Sequence, residues 1–428
     1  MRALAAIFAL ALVLRLVWVT AVPSEPIPTH DSEIYRTMAI ALANGDGFMM
    51  ERYTLPDGQA ALTPGLAHPP GYPAFLGGLY AIFGSSLAVG RLANAVLGAL
   101  TVFPVFWAAR RLASQRVALI AAAIVAVTPS LIVWSSTLYS ETMFTLVFTT
   151  ALAALLWSRK DASIDLRLVA LAGALLALSL QIRTPTVVAI PAGLLWLALP
   201  GLRTPRLPAA ALLVVALPGL AAAAWGLRNV VEYDSFTPFT SCGGINFRKG
   251  HAPNSTGRDV PAQDLPSRTP PSADVRRADL ELAASSLGWD LGFDYLVSHP
   301  GRELSLSLRK VVWLWRPAAG GVHEADADGK ISIPLGRWPA KIAVVTFHCG
   351  FGVLVIAGLW LARRDRDAIL PPVALVVFWT ALHVVFFGQA RYALPLLPIL
   401  SLPAAIALVY LIDRIGLSTR VPAGVGSA

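Results

Sequence analysis

The chain has 428 residues, of which 56% are hydrophobic and only 14% charged, and its mean hydropathy is +0.64. A soluble domain would carry about a quarter charged residues, so the composition excludes a soluble enzyme and indicates an all-α polytopic membrane protein. The formal charge of +9 invites a polyanion partner, but the placement of the basic residues argues against nucleic acid.

The first apolar run, 4–22, follows Met1-Arg2 as a signal peptide would. It is long, Arg15 interrupts it, and Thr20-Ala21-Val22-Pro23 is a poor cleavage site. It therefore reads as an uncleaved first membrane helix. The segment 23–86 carries six acidic residues and two basic ones, Arg36 and Arg52. It contains His30-Asp31-Ser32-Glu33-Ile34-Tyr35-Arg36 and, later, His68-Pro69-Pro70-Gly71-Tyr72-Pro73. Its last part, 70–84, is short and rich in Gly and Pro, and reads as a juxtamembrane or re-entrant helix rather than a span.

Further apolar runs cover 87–109, 117–134, 142–158, 166–182, 185–200 and 207–226, then 340–362, 368–388 and 392–412. With the first run they give about ten transmembrane helices. Alternate short loops hold eleven basic residues: Arg110, Arg111 and Arg116; Arg159, Lys160 and Arg167; Arg203 and Arg206; Arg363, Arg364 and Arg366. The intervening turns, 135–141, 183–184 and 389–391, hold only Arg183 and Arg391. The positive-inside rule then puts both termini in the cytoplasm, in a multi-pass protein of the cell inner (plasma) membrane.

Three units follow. Residues 1–226 form an N-terminal transmembrane module with the first outer loop, 23–86. Residues 227–339 form a small extracytoplasmic domain, in which 13 basic and 13 acidic side chains cancel. Residues 340–428 supply the last helices and a cytoplasmic tail. Within the outer domain, 251–273 reads as an extended loop, and Ser272-Ala273-Asp274 offers an N-cap for a helix through about Leu287. The stretch 303–316, with Leu and Trp among Arg and Lys, suits a helix lying in the interface. Cys242 and Cys349 form no framework and read as free thiols.

Asp31, Glu33, Glu141, Arg183 and Arg391 all fall on the outer face in this topology. Ionisable groups at membrane depth are expensive and usually functional. A carboxylate there can take a proton from a hydroxyl or amine nucleophile. Arginine pairs bidentately with phosphate and keeps its charge. The set suits displacement at a carbon whose leaving group is a lipid phosphate. Tyr35, Tyr72, Tyr139 and Tyr392 could hold a sugar ring or simply anchor helices at the interface. Arg36 and His68 complete the candidate substrate-binding group. Asp31, Glu33 and Glu141 could hold a divalent metal, but no ligand spacing demands one, so no cofactor is expected.

Four motifs carry a resemblance: His30-Asp31-Ser32-Glu33-Ile34-Tyr35, His68-Pro69-Pro70-Gly71-Tyr72-Pro73, Tyr139-Ser140-Glu141, and Arg391-Tyr392-Ala393-Leu394-Pro395-Leu396-Leu397-Pro398. Trp225-Gly226-Leu227-Arg228-Asn229 and Gly243-Gly244-Ile245-Asn246 add to it. In order and spacing these motifs resemble the C-type glycosyltransferase superfamily, and within it the bacterial relatives of protein O-mannosyltransferases and lipid A aminoarabinose transferase. The resemblance implies inverting transfer from a polyprenyl-phosphate sugar donor to a lipid, glycan or protein acceptor. It makes Asp31 the candidate general base and gives Glu141 the second acidic position. Arg183 and Arg391 are phosphate candidates from topology alone. A polymerase or ligase of lipid-linked glycans would use the same face. A transporter or flippase would show inverted repeats and broken helices near mid-membrane, and no internal symmetry is visible.

Overall fold

The computed structural model describes residues 1–21, 31–54, 60–64, 66–160, 163–198, 204–267, 275–317, 322 and 337–415. Among them the only strands are two short antiparallel hairpins; the rest is helix and turn. The first half runs α1 (Arg2–Ala21), α2 (Asp31–Asn44), the hairpin β1 (Met49–Thr54) and β2 (Ala60–Pro64), then α3 (Gly71–Phe83), α4 (Leu87–Leu100), α5 (Val102–Leu112), α6 (Gln115–Val127) and α7 (Pro129–Val133). It continues with α8 (Glu141–Ser158), the hairpin β3 (Arg159–Lys160) and β4 (Ser163–Ile164), α9 (Leu166–Ile182), α10 (Ala189–Leu197) and α11 (Leu207–Tyr233). The second half runs α12 (Gly243–Gly250), α13 (Arg277–Ser298), α14 (Pro300–Trp315), α15 (Arg337–Leu361), α16 (Arg366–Val385) and α17 (Leu397–Arg414). Three 3-10 turns, Trp134–Ser136, Thr184–Val188 and Ala390–Leu396, interrupt these helices.

The protein is an all-α polytopic membrane protein. Every one of the ten sequence-predicted spans falls on apolar helix, but they are not all of spanning length. Among the described residues seven helical stretches are long and apolar enough to cross a membrane, or eight if the bent pair α6–α7 is one span. The remaining two predicted spans fall on the shorter apolar helices Leu166–Ile182 and Thr184–Leu197. The break at Arg183 explains this, because it splits the run into a 17-residue helix, a five-residue 3-10 turn and a nine-residue helix. Residues 70–84 are likewise a short helix, α3.

Burial within the bundle is uneven. In α8, Phe144 and Phe148 are fully buried and pack on Trp379 of α16. On α11 and α15, by contrast, Leu212, Leu220, Val353, Ile356 and Trp360 face outward. Apolar surface of this extent would associate in water but costs nothing against lipid tails.

The α6–α7 bend of 52° follows from Pro129. Proline has no N–H, so the carbonyl of Val125 loses its helical donor. Arg15 of α1, the residue that interrupts the first apolar run, donates to that carbonyl at 3.4 Å and to those of Ala126 and Ala11 at 3.2 and 3.0 Å. It is fully buried.

One end of the bundle is held by the basic loops. Ser114, Asp165 and Asp365 cap the starts of α6, α9 and α16. Arg116 pairs with Asp413 at 2.6 Å, and Arg159 with Asp367 at 3.3 Å. Arg111 donates to the Arg159 carbonyl, and Arg206 to that of Ile164. Arg203 lies outside the described residues.

The segment after α11 differs from its sequence reading in two elements, α13 and α14. The proposed cap at 272–274 is outside the described residues, and α13 continues to Ser298, past the expected end at Leu287. Its glycines serve packing. A Cβ on Gly288 would lie 2.5 Å from the Gly244 carbonyl oxygen, and one on Gly292 would lie 2.5 Å from Phe247. They let α12 lie directly on α13.

The expected interfacial stretch, 303–316, forms α14 with an inverted pattern. Glu303 and Lys310 are buried together with Leu306 and Leu314. Leu304, Leu308 and Val312 point outward, four residues apart on one face. Neither Cys242 nor Cys349 is in a disulfide.

Candidate active site

Two carboxylates and two guanidiniums meet at the end of the bundle away from the basic loops. Both acids begin helices: Asp31 is the first residue of α2, and Glu141 the first of α8. The partial positive charge of a helix N-terminus favours an anion there. Both arginines sit at helix breaks, Arg183 between α9 and its 3-10 turn and Arg391 in the turn before α17.

Glu141 is the hub. Its Oε1 lies 2.9 Å from Arg183 Nη1 and 3.3 Å from Arg391 Nε. Arg391 Nη2 also donates to Asp31 Oδ2 at 3.2 Å. Glu141 is 2% exposed, whereas the Asp31 side chain is 31% exposed. Asp31 is therefore the carboxylate that an incoming molecule can reach. Burial opposes its charge, but Arg391, His68 and Arg183 outweigh burial and hold its carboxyl below the usual carboxylate range.

An aromatic wall stands beside this quartet. The Tyr35 ring packs edge-on against His68 at 4.9 Å and Tyr72 at 5.1 Å. Burial, with the Asp31 carboxylate second, pushes the Tyr35 phenol up. The Arg391 guanidinium lies over Tyr139, Tyr392 and Trp134, and Arg183 lies over Tyr392. The turn carrying His68 is brought in by Gly71, whose Cβ would stand 2.7 Å from the Gln181 carbonyl oxygen. Only glycine allows α3 to start this close to the end of α9, two residues before Arg183.

Nine of the eleven sequence candidates thus gather at one place: Asp31, Glu141, Arg183, Arg391, Tyr35, His68, Tyr72, Tyr139 and Tyr392. The other two, Glu33 and Arg36, pair with each other at 3.5 Å. Helical phase separates them from the quartet. At about 100° per residue, Tyr35 stands roughly 40° from Asp31 around α2, whereas Glu33 stands roughly 160° away. His30 lies outside the described residues.

Sequence reading missed the groups that hold the site in shape. The Ser140 hydroxyl lies 3.2 Å from the Tyr35 phenol and accepts from Arg183 at 3.0 Å. Asn94, a fully buried amide in α4, donates to the Tyr72 hydroxyl and the Thr137 carbonyl. A polar residue inside an apolar span was its signal. Glu281 of α13, with no exposed surface, accepts from Leu66 N and the Ser241 hydroxyl and pairs with Arg277. It ties α13 to the chain two residues before His68.

The carboxylates Asp31, Glu33 and Glu141 do not form a divalent-metal site in this arrangement. Glu33 pairs elsewhere, and the other two are each held by a guanidinium, which repels a dication. Among the described residues no cluster of three or more metal-ligating side chains occurs.

Comparison with solved structures places this architecture. AglB, the archaeal oligosaccharyltransferase of Archaeoglobus fulgidus, solved with an inhibitory peptide and a dolichol-phosphate, superposes with a TM-score of 0.58 at 15% identity. The match covers 99% of this chain and 52% of that one. At this identity the likeness is one of fold. The apo form of the Archaeoglobus fulgidus enzyme matches equally, with TM-score 0.58, 15% identity, and coverage of 97% of this chain and 51% of that one. The chain therefore spans about half the length of these oligosaccharyltransferases. ArnT from Cupriavidus metallidurans, bound to undecaprenyl phosphate, gives a TM-score of 0.43 at 17% identity, over 96% of this chain and 79% of that one. The family model described as dolichyl-phosphate-mannose-protein mannosyltransferase matches residues 67–225, from just before His68 to the end of the first membrane module. No curated protein matches the chain.

Proposed function

We propose that this protein transfers a sugar from a polyprenyl-phosphate donor to an acceptor hydroxyl or amine, with the site on the extracytoplasmic face of the inner membrane. The observation that carries the reading is the single cluster of Asp31, Glu141, Arg183 and Arg391. It supplies one accessible carboxylate and two adjacent guanidiniums. The C-type fold, the mannosyltransferase family model over residues 67–225, and the dolichol-phosphate held by the similar archaeal enzyme support it.

The chemistry is a single displacement at the anomeric carbon. The acceptor oxygen or nitrogen forms a bond to that carbon as the bond from carbon to phosphate oxygen breaks. Asp31 takes the acceptor's proton, and the phosphate leaves with the electron pair. Arg183 and Arg391 pair with the phosphate in the bound donor and keep those contacts as it leaves. Arg391 is paired with Asp31, so an arriving phosphate exchanges partners with the carboxylate and frees it as a base. Glu141 keeps the two guanidiniums side by side throughout. His68 is the partly exposed member of the Tyr35–His68–Tyr72 wall and the one a sugar can touch, with the buried Tyr35 and Tyr72 rings behind it.

Purified protein reconstituted with a panel of polyprenyl-phosphate sugars should release free polyprenyl phosphate and label a lipid, glycan or protein acceptor. If no donor is consumed in the presence of membrane extract as acceptor source, the reading fails.

A further inference from the structure

The turn that delivers Arg391 is gripped by the outer domain through a buried polar cluster that the transfer chemistry does not use. Helix α16 ends at Val385, and its last carbonyls have no partner within the helix. Lys310 of α14 donates from Nζ to the Val384 carbonyl at 3.0 Å. His251, just past α12, places Nε2 2.8 Å from the Val385 carbonyl and Nδ1 2.8 Å from Glu303 Oε2. Lys310 Nζ lies 3.2 Å from the same His251 Nε2. Lys310 has no exposed surface, and His251 and Glu303 are buried with it.

The backbone closes around the same turn. A Cβ on Gly250 would lie 1.8 Å from the Phe386 carbonyl oxygen, and one on Gly388 would lie 2.0 Å from that of Lys310. Gly388 N donates to the Gly257 carbonyl at 2.9 Å. The Phe386 ring packs on Phe247 and Trp289, and Lys249 Nζ lies over Phe387. Gln389 and Ala390 are then all that separate this grip from Arg391.

An ammonium is among the most costly groups to bury. Burial pushes Lys310 down to about 8, with Glu303 opposing. A packing role alone would be served by methionine. What lysine adds is a charged donor aimed at the end of α16, where the helix dipole also favours a cation.

We propose that Lys310, with His251 and Glu303, is a positioning residue: it locks the 386–391 turn and through it sets the Arg391 guanidinium against Asp31 and Glu141. The outer domain thereby controls the phosphate-holding half of the site from behind. The proposal rests on the reading of Arg391 as a phosphate ligand.

The test joins two readouts in reconstituted full-length protein. In Lys310→Met, the amides of Gly388 and Tyr392 should exchange hydrogen faster than in the wild type. The donor KM should rise roughly tenfold or more, as expected for losing a charge-assisted contact, while kcat stays within about twofold. In an Arg391→Ala background the same substitution should add nothing to the donor KM, because its effect passes through Arg391. His251→Gln should give the same pattern in weaker form and serves where Lys310→Met folds poorly. Unchanged exchange in both variants, an unchanged donor KM, or an additive penalty with Arg391→Ala would each overturn the proposal. If the wild type consumes no polyprenyl-phosphate sugar, the functional reading falls instead, while hydrogen exchange still decides whether Lys310 holds the turn.

Discussion

Arg391 Nη2 stands 3.2 Å from Asp31 Oδ2, although the two residues open segments at opposite ends of the chain. The contact ties the turn before the last helix to the first helix after α1. Arg391 also faces Glu141 of α8, so one guanidinium joins three distant segments. The two carboxylates and two guanidiniums of the site therefore balance one another within the chain.

Glu141 should be the structural keystone. Glu141→Gln leaves two buried guanidiniums without their shared carboxylate, and removing one partner of a buried ion pair costs about 3–5 kcal/mol. Thermal unfolding in detergent should show a clear drop for this variant and little change for Glu33→Gln, whose pair with Arg36 is about one-third exposed. Equal melting of Glu141→Gln and wild type would remove Glu141 from this role.

His68 should contribute to acid sensitivity. Burial holds its imidazole below the usual value, although Asp31 and Glu281 pull the other way. Below about pH 6.5 the unfolded chain then binds the proton more readily than the folded one, so stability falls as pH falls. The Asp31 contribution is present above its usual value near 3.9 and is lost only as pH drops through its lower folded value. His251, buried beside Lys310, is shifted the same way, so His68→Asn should reduce the fall in melting temperature between pH 7 and 5 without abolishing it. The same slope in variant and wild type would contradict this origin.

The charged quartet was legible in the sequence because each member breaks an apolar pattern at a helix mouth. The pairing was not. No local spacing tells that Arg391 reaches Asp31 or that Arg183 reaches Glu141, since those contacts depend on how α2, α8, α9 and α17 pack. Glu33 and Arg36 entered the site as neighbours in sequence, although the period of α2 already separates them from Asp31. The spans were read from apolar runs, which placed the turn at 183–184 but not the 3-10 winding of Thr184–Val188 that leaves α10 nine residues long. Lys310 and Glu303 were read as interfacial charge, because an amphipathic pattern does not tell which face meets protein and which meets lipid.

Sidedness is tested by labelling. In a background lacking Cys242 and Cys349, single cysteines at the exposed positions 263 and 298 should react with an impermeant reagent added outside intact cells. Cysteines at the exposed positions 115 and 365, in the basic loops, should react only after permeabilisation. Labelling of 115 or 365 from outside would invert the topology and put the site in the cytoplasm.

The central claim is that Asp31 is the base and Arg391 the phosphate ligand, and steady-state kinetics on two variants test it most directly. Asp31→Asn keeps the shape and removes the base. Its kcat should fall by roughly 10²–10⁴-fold, with the donor KM unchanged or lower because Arg391 is released from its carboxylate. Arg391→Ala should instead raise the donor KM. Wild-type kcat in Asp31→Asn, or the same rise in donor KM in both variants, would contradict the account and leave the 3.2 Å contact as a structural ion pair.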